Sequence, residues 1–163
     1  MDTMAIKKEL REKLGIFYLL PHQELIINHI ISNEERKKST KLLAILPTAS
    51  GKSICFMAPL VFLEGVMICI YPLLSLMADQ EKRMNSLNLK AVIVKGGMER
   101  SEREEKINGL VEGKYKVMIT NMEMMLTLLK DKRCEALWNA VTTIVIDEVH
   151  TALTWGDPFR PSY

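Results

Sequence analysis

Short apolar runs alternate with amphipathic stretches along most of the chain. The runs Leu42 to Leu46, Val66 to Tyr71, Ala91 to Val94, Lys116 to Thr120 and Thr143 to Ile146 have the length and the Val/Ile/Leu content of strands. An unbroken apolar run suits a strand covered on both faces, as in a parallel sheet flanked by helices. Between the runs lie helical patterns. Pro21 to Ile31 sets Leu25, Ile26, His29 and Ile30 near one face, and Lys52 to Phe62 follows a Gly-Lys-Ser turn. Leu74 to Leu87 is amphipathic, Met98 to Val111 is dense in Glu, Arg and Lys, and Met122 to Leu129 is apolar and helix-prone. Strand and helix in alternation predict βαβ units, and hence an α/β three-layer sandwich around a parallel sheet.

Composition narrows the class without changing that picture. A length of 163 residues predicts one domain, and 48% hydrophobic residues are enough for a core, although aromatics at 6% leave its filling to aliphatic and Met side chains. The net charge of +2 is a weak basic bias, so contacts with phosphates must come from local patches. Cys55, Cys69 and Cys134 are scattered, with no CxxC or Cys/His spacing. That argues against structural zinc and reads as reduced, buried thiols in a cytosolic compartment. The N-terminus lacks the basic-then-apolar order of a signal peptide, and no apolar run approaches a membrane span, so no membrane partner is expected. The chain stops at Pro161-Ser162-Tyr163, soon after the last predicted strand, and reads as C-terminally truncated.

The first candidate chemistry lies where the Leu42 to Leu46 run meets Pro47-Thr48-Ala49-Ser50-Gly51-Lys52-Ser53. A strand, a tight turn ending in Gly-Lys-Ser and a helix form the layout of a phosphate-binding loop. Backbone N–H groups of such a turn cradle phosphate oxygens, the Lys reaches the β- and γ-phosphates, and the Ser hydroxyl ligates Mg²⁺. These roles fall on Lys52 and Ser53. Two positions depart from the usual pattern: Leu46 stands for the first Gly, and Ala49 for the Gly of PTGSGK loops. Ala tolerates most turn conformations, so the loop is expected to form.

The second candidate is Thr143-Ile144-Val145-Ile146-Asp147-Glu148-Val149-His150, a buried strand running into two acids. This has the shape of a Walker B site. Asp147 is placed to hold Mg²⁺, Glu148 to orient and activate the attacking water, and His150 to sense the γ-phosphate or the nucleic acid. The charged stretch Glu99 to Lys106 reads as a solvated helix face, and the Met residues near Met122 as core.

A phosphate loop followed by Asp-Glu-Val-His resembles the superfamily 2 helicases with a DExH box. The tail Trp155-Gly156-Asp157-Pro158-Phe159-Arg160-Pro161-Ser162-Tyr163 is similar to the aromatic-rich loop of the RecQ family, WGHDFRPxY, with Asp157 and Pro158 in place of its His and Asp. Upstream, Leu14 to Gln23 resembles the RecQ adenine-recognition motif ending in FRPGQ, with Leu19 and Leu20 in place of Phe and Arg. Pro72 to Gln80 resembles PLxSLMxDQ, and Thr120-Asn121-Met122-Glu123 approximates TxPE. The resemblance runs from about Leu10 to Tyr163.

The resemblance implies a RecA-like domain of an ATP-dependent DNA helicase, with residues 1–34 as a helical segment carrying the adenine motif and 35–163 as the first ATP-binding domain. ATP and Mg²⁺ are the implied cofactors. Gln23 is expected to read adenine. Thr48, Ala49, Ser50, Gly51, Lys52 and Ser53 are expected to hold phosphate, and Ser53 and Asp147 the metal. Ser75, Asp79 and Gln80 are expected on the DNA path, and Trp155, Phe159 and Arg160 are expected to stack bases or meet phosphates and so report bound DNA. Single-stranded or forked DNA and a second RecA-like domain are the implied partners, with 3′-to-5′ travel and a role in repair or recombination. The location follows as cytoplasmic, at the nucleoid in a bacterium or in the nucleus of a eukaryote. Two alternatives stand beside this reading: a non-catalytic binding module derived from a helicase, and an RNA-directed DExH helicase.

Overall fold

The computed structural model describes residues 3–36 and 39–151. The chain divides into two compact units, Met1–Glu64 and Gly65–Tyr163.

The first unit is helical. Helix α1 (Thr3–Leu14) buries Ile6, Leu10 and Leu14 at four-residue spacing, one stripe of an amphipathic helix. Helix α2 (Pro21–Glu35) starts with Pro at its first position, where the missing N–H costs nothing. Its third residue, Gln23, reaches back so that its Oε1 accepts from the Leu20 N–H at 2.9 Å, the Gln half of a capping box. Gln23, Ile27 and Ile31 form its buried stripe. Helix α3 (Lys52–Met57) passes directly into a 3₁₀ turn, Ala58–Val61, in which Ala58, Pro59 and Leu60 are buried. The expected helix from Lys52 to Phe62 is thus α-helical only in its first half. Pro59 lacks the N–H that would bond four residues back.

The strand expected over Leu42 to Leu46 does not form. Residues 39–47 carry no regular structure, and Leu42, Leu43 and Ile45 are exposed. None of the strands described below pairs with this run. A strand needs a neighbour for its backbone N–H and C=O groups, and apolar composition does not supply one.

The second unit holds the sheet. Strands β1 (Val66–Ile70), β2 (Ala91–Ile93), β3 (Val117–Thr120) and β4 (Val141–Ile146) lie in the order β2-β3-β1-β4. Every pairing is parallel. The expected α/β class with a parallel sheet is the one observed. The connections carry helices α4 (Leu74–Ser86), α5 (Arg100–Val111), α6 (Met122–Lys130) and α7 (Glu135–Ala140). β1 and β3 are buried at every position, because both faces of the sheet are covered there. Val66, Ile68 and Ile70 on one face join Ile107, Leu110, Met125, Leu128 and Leu137 from α5, α6 and α7 in a single cluster. α4 runs against β2 and β3, with Met77 and Met84 fully buried. β4 forms an edge of the sheet, and its Ile144 and Ile146 are about half exposed.

Candidate functional site

The phosphate-loop residues are gathered in a tight turn of the first unit. Ala49 and Gly51 both take left-handed conformations, at φ +62° and +75°, on either side of Ser50. Left-handed residues interleaved with right-handed ones make successive N–H groups converge into an anion-binding concavity. Ser50 N–H donates to the Pro47 carbonyl at 3.3 Å, and Ile54 N–H to the Gly51 carbonyl at 3.0 Å, which starts α3 at Lys52. Thr48 is exposed, and Lys52 and Ser53 are half-buried on the first turn of α3. The Ser50 hydroxyl is buried with no protein partner. The Gly that PTGSGK loops carry at this position adopts the left-handed form freely, whereas Ala49 holds it against its Cβ.

Gln23, expected to read adenine, is 3% exposed and turned onto this loop. Its Nε2 donates to the carbonyls of Ser50 and Gly51, at 3.2 and 3.4 Å, while its Oε1 takes the Leu20 N–H. Both amide hydrogens are committed, and one lone pair of Oε1 remains to accept from an exocyclic amine. Beside it, Ile16, Phe17, Tyr18 and Pro21 line a hollow of about 280 Å³. The Arg11 guanidinium stacks 4.9 Å from the centre of the exposed Phe17 ring. His22 also contacts the loop, with Nε2 3.1 Å from the Ser50 carbonyl oxygen. Sequence reasoning missed this contact. The two residues are 28 apart, and no local pattern pairs them.

The acidic motif lies in the second unit, at the end of β4. Asp147 N–H donates to the Ile70 carbonyl at 3.0 Å, so the ladder with β1 extends one residue past the strand. The chain then turns sharply. Glu148 is left-handed, at φ +52°, and its N–H donates to Asp147 Oδ1 at 3.0 Å. Thr151 closes the turn by donating its N–H and its hydroxyl to the Glu148 carbonyl, at 2.9 and 2.8 Å. His150 Nδ1 lies 3.2 Å from Glu148 Oε2, so the histidine expected to sense phosphate or nucleic acid faces the carboxylate expected to orient water.

Register puts the PLLSLMADQ segment at the same edge. Ile70 pairs with Ile146, so the chain leaving β1 and the chain leaving β4 emerge side by side. Loops at the carboxyl ends of parallel strands are where such sheets bind ligands. Ser75 and Asp79, four apart on α4, are exposed on one face, while Gln80 is half-buried with its Oε1 unpartnered by protein. Asn121 caps α6 by accepting the Met124 N–H at 3.1 Å, so the turn after β3 is held without the Pro of TxPE. Burial pushes the Cys69 thiol and the Tyr71 phenol well above their ordinary ranges, and the Asp147 charge adds to both. Neither is a nucleophile or base near neutral pH, and the chemistry available at this edge belongs to the carboxylates. Trp155, Phe159 and Arg160 lie outside the described residues.

The DEAD/DEAH box helicase family model matches residues 8–163. The chain belongs to the DEAD/DEAH box helicase family. Within it, the chain is similar to the ATP-dependent DNA helicase RecQ of Synechocystis sp., 29% identical over 99% of this chain and 33% of that protein. It is 36% identical to RecQ of Bacillus subtilis over 73% of this chain and 20% of that protein. The chain therefore spans a third or less of these relatives. In fold it matches the DUF1998 helicase MrfA bound to DNA and AMPPNP, with a TM-score of 0.70 and 24% identity over 90% of this chain and 21% of that one. Family membership accounts for the pairing of a Gly-Lys-Ser turn with an Asp-Glu-Val-His turn in one chain.

Proposed function

We propose that this chain is the nucleotide-binding part of a RecQ-type, ATP-dependent DNA helicase that couples ATP hydrolysis to movement along single-stranded DNA. The observation that carries the reading is the turn at Ala49-Ser50-Gly51, with left-handed residues on both sides of Ser50 leading into Lys52 and Ser53. Such a turn suits phosphate better than any neutral ligand. The similarity to proteins named as DNA helicases favours DNA as the track.

Lys52 places its ammonium on the nucleotide phosphates, and the Gly51–Ser53 backbone donates to them. Gln23 offers its remaining lone pair to the adenine amino group. The Ser53 hydroxyl and the Asp147 carboxylate are hard oxygen donors of the kind Mg²⁺ takes. When bound, Mg²⁺ neutralises charge developing on the phosphoryl oxygens. Glu148, held by His150, orients water. Ser75, Asp79 and Gln80 face the DNA strand, together with Trp155, Phe159 and Arg160. A second RecA-like domain completes the motor, which travels 3′ to 5′ in DNA repair or recombination, at the nucleoid of a bacterium or in a eukaryotic nucleus.

The test is equilibrium binding of a fluorescent ATP analogue with Mg²⁺ to the wild-type chain and to Lys52→Ala. Saturable binding lost in the variant is the expected result. Equal affinity in both would rule out the loop as the nucleotide site.

A further inference from the structure

We infer that His22 is a positioning residue for the phosphate loop, a role that rests on the nucleotide-binding reading above. Its Nε2 lies 3.1 Å from the Ser50 carbonyl oxygen. A carbonyl can only accept, so Nε2 carries the proton and donates. The same oxygen takes the Gln23 amide at 3.2 Å, and its two lone pairs accommodate both. Two consecutive side chains on the first turn of α2 thus converge on one backbone atom of the loop. The FRPGQ pattern has Gly where His22 stands, and Gly has no side chain to make this second tie.

The choice of atom gives the contact its consequence. Within one planar trans peptide, C=O and N–H point in opposite directions. Pulling the Ser50 carbonyl toward α2 therefore aims the Gly51 N–H away from α2, as a donor presented to an anion. Ser50 is also the residue between the two left-handed positions, Ala49 and Gly51. Ala49 adopts its conformation at a steric cost, so this loop has more need of an external restraint than one with Gly there. His22 is half-buried, which shields the bond from competing water.

The experiment compares the full chain with His22→Phe, which keeps a ring but no donor, and His22→Gln, which restores an N–H. Lys52→Ala serves as the site control. Hydrogen exchange at the amides of residues 50 and 54 reads the loop without nucleotide. Titration with a fluorescent ATP analogue and Mg²⁺ reads the phosphate site. His22→Phe is expected to speed exchange at these amides and to weaken analogue binding, each about fivefold, the change one net hydrogen bond is worth. His22→Gln should return both toward wild type, while exchange in β1 stays unchanged and reports an intact fold. Loop exchange and affinity equal to wild type in His22→Phe would overturn the inference and leave the nucleotide site standing. Faster exchange with unchanged affinity would overturn it too, reducing His22 to a fold contact. If the wild type and Lys52→Ala bind alike, the nucleotide reading fails by itself, whatever the loop exchange shows, and the positioning role falls with it.

Discussion

The backbone of Gly51 runs directly against the side chain of Gln23. A Cβ built on Gly51 would fall within the contact distance of the Gln23 amide nitrogen, and Gly51 stands at φ +75°, where side chains are rarely tolerated. The close approach lets the buried Gln23 amide reach the Ser50 and Gly51 carbonyls. Gly51→Ala therefore loses twice, by about 1–2 kcal/mol for the left-handed conformation and by displacement of the Gln23 amide. The variant should bind an ATP analogue about tenfold or more weakly, and should unfold at lower denaturant. Affinity equal to wild type in a binding titration would show that the turn geometry is irrelevant to the nucleotide.

Ala49 predicts the opposite sign. It already occupies the left-handed region, at φ +62°. Ala49→Gly removes a cost of about 1–2 kcal/mol while adding about 0.4–1 kcal/mol of chain entropy to the unfolded state. The net expectation is a gain of about 0.5–1 kcal/mol in the stability of the first unit. Denaturant unfolding followed by a probe in α2 or α3 measures it, and a loss of stability would contradict the conformation described for Ala49.

The second unit's parallel sheet was legible in the sequence because burial on both faces leaves a direct trace. Val66-Met67-Ile68-Cys69-Ile70 is apolar at all five positions and buried at all five. Leu42 to Leu46 is equally apolar and is not a strand, since composition records an appetite for burial and not the neighbour that satisfies it. Helix α1 was legible in principle through Ile6, Leu10 and Leu14, whereas the six residues of α7 are too few to show a period. At the candidate site, Lys52, Asp147 and Glu148 announced themselves through local motifs. His22 did not, because its partner Ser50 is brought to it only by the packing of α2 against α3.

The thiols give a test of the core. Cys55, Cys69 and Cys134 are free and buried, and burial raises all three above the ordinary thiol range. A thiol reagent at neutral pH should label the native chain slowly and the denatured chain fully. Cys69, with no exposed surface on the central strand β1, should be the last to react. Rapid labelling of Cys69 in the native state would contradict the placement of β1.

Acid titration tests the surface beside α5. The Arg133 guanidinium is hydrogen-bonded to Asp131 at 2.6 and 2.9 Å and holds its carboxyl down at about 2. A carboxyl depressed in the folded state contributes stability above its ordinary range, and the contribution disappears as pH falls toward 2. Arg133→Ala should raise the Asp131 titration, followed by NMR, part of the way toward the ordinary 3.8, because the backbone N–H of residue 133 still donates to the carboxyl. An unmoved titration would show that the Arg133 guanidinium is not the cause.

ATP turnover tests most directly the proposal that this chain carries a DNA-coupled nucleotide site. Hydrolysis would be measured with Mg²⁺, without nucleic acid, with single-stranded DNA and with single-stranded RNA, each beside Lys52→Ala. Turnover is expected to rise with DNA more than with RNA and to vanish in Lys52→Ala. Turnover indistinguishable from that of Lys52→Ala under every condition would contradict it, leaving a helicase-derived module without the family's chemistry.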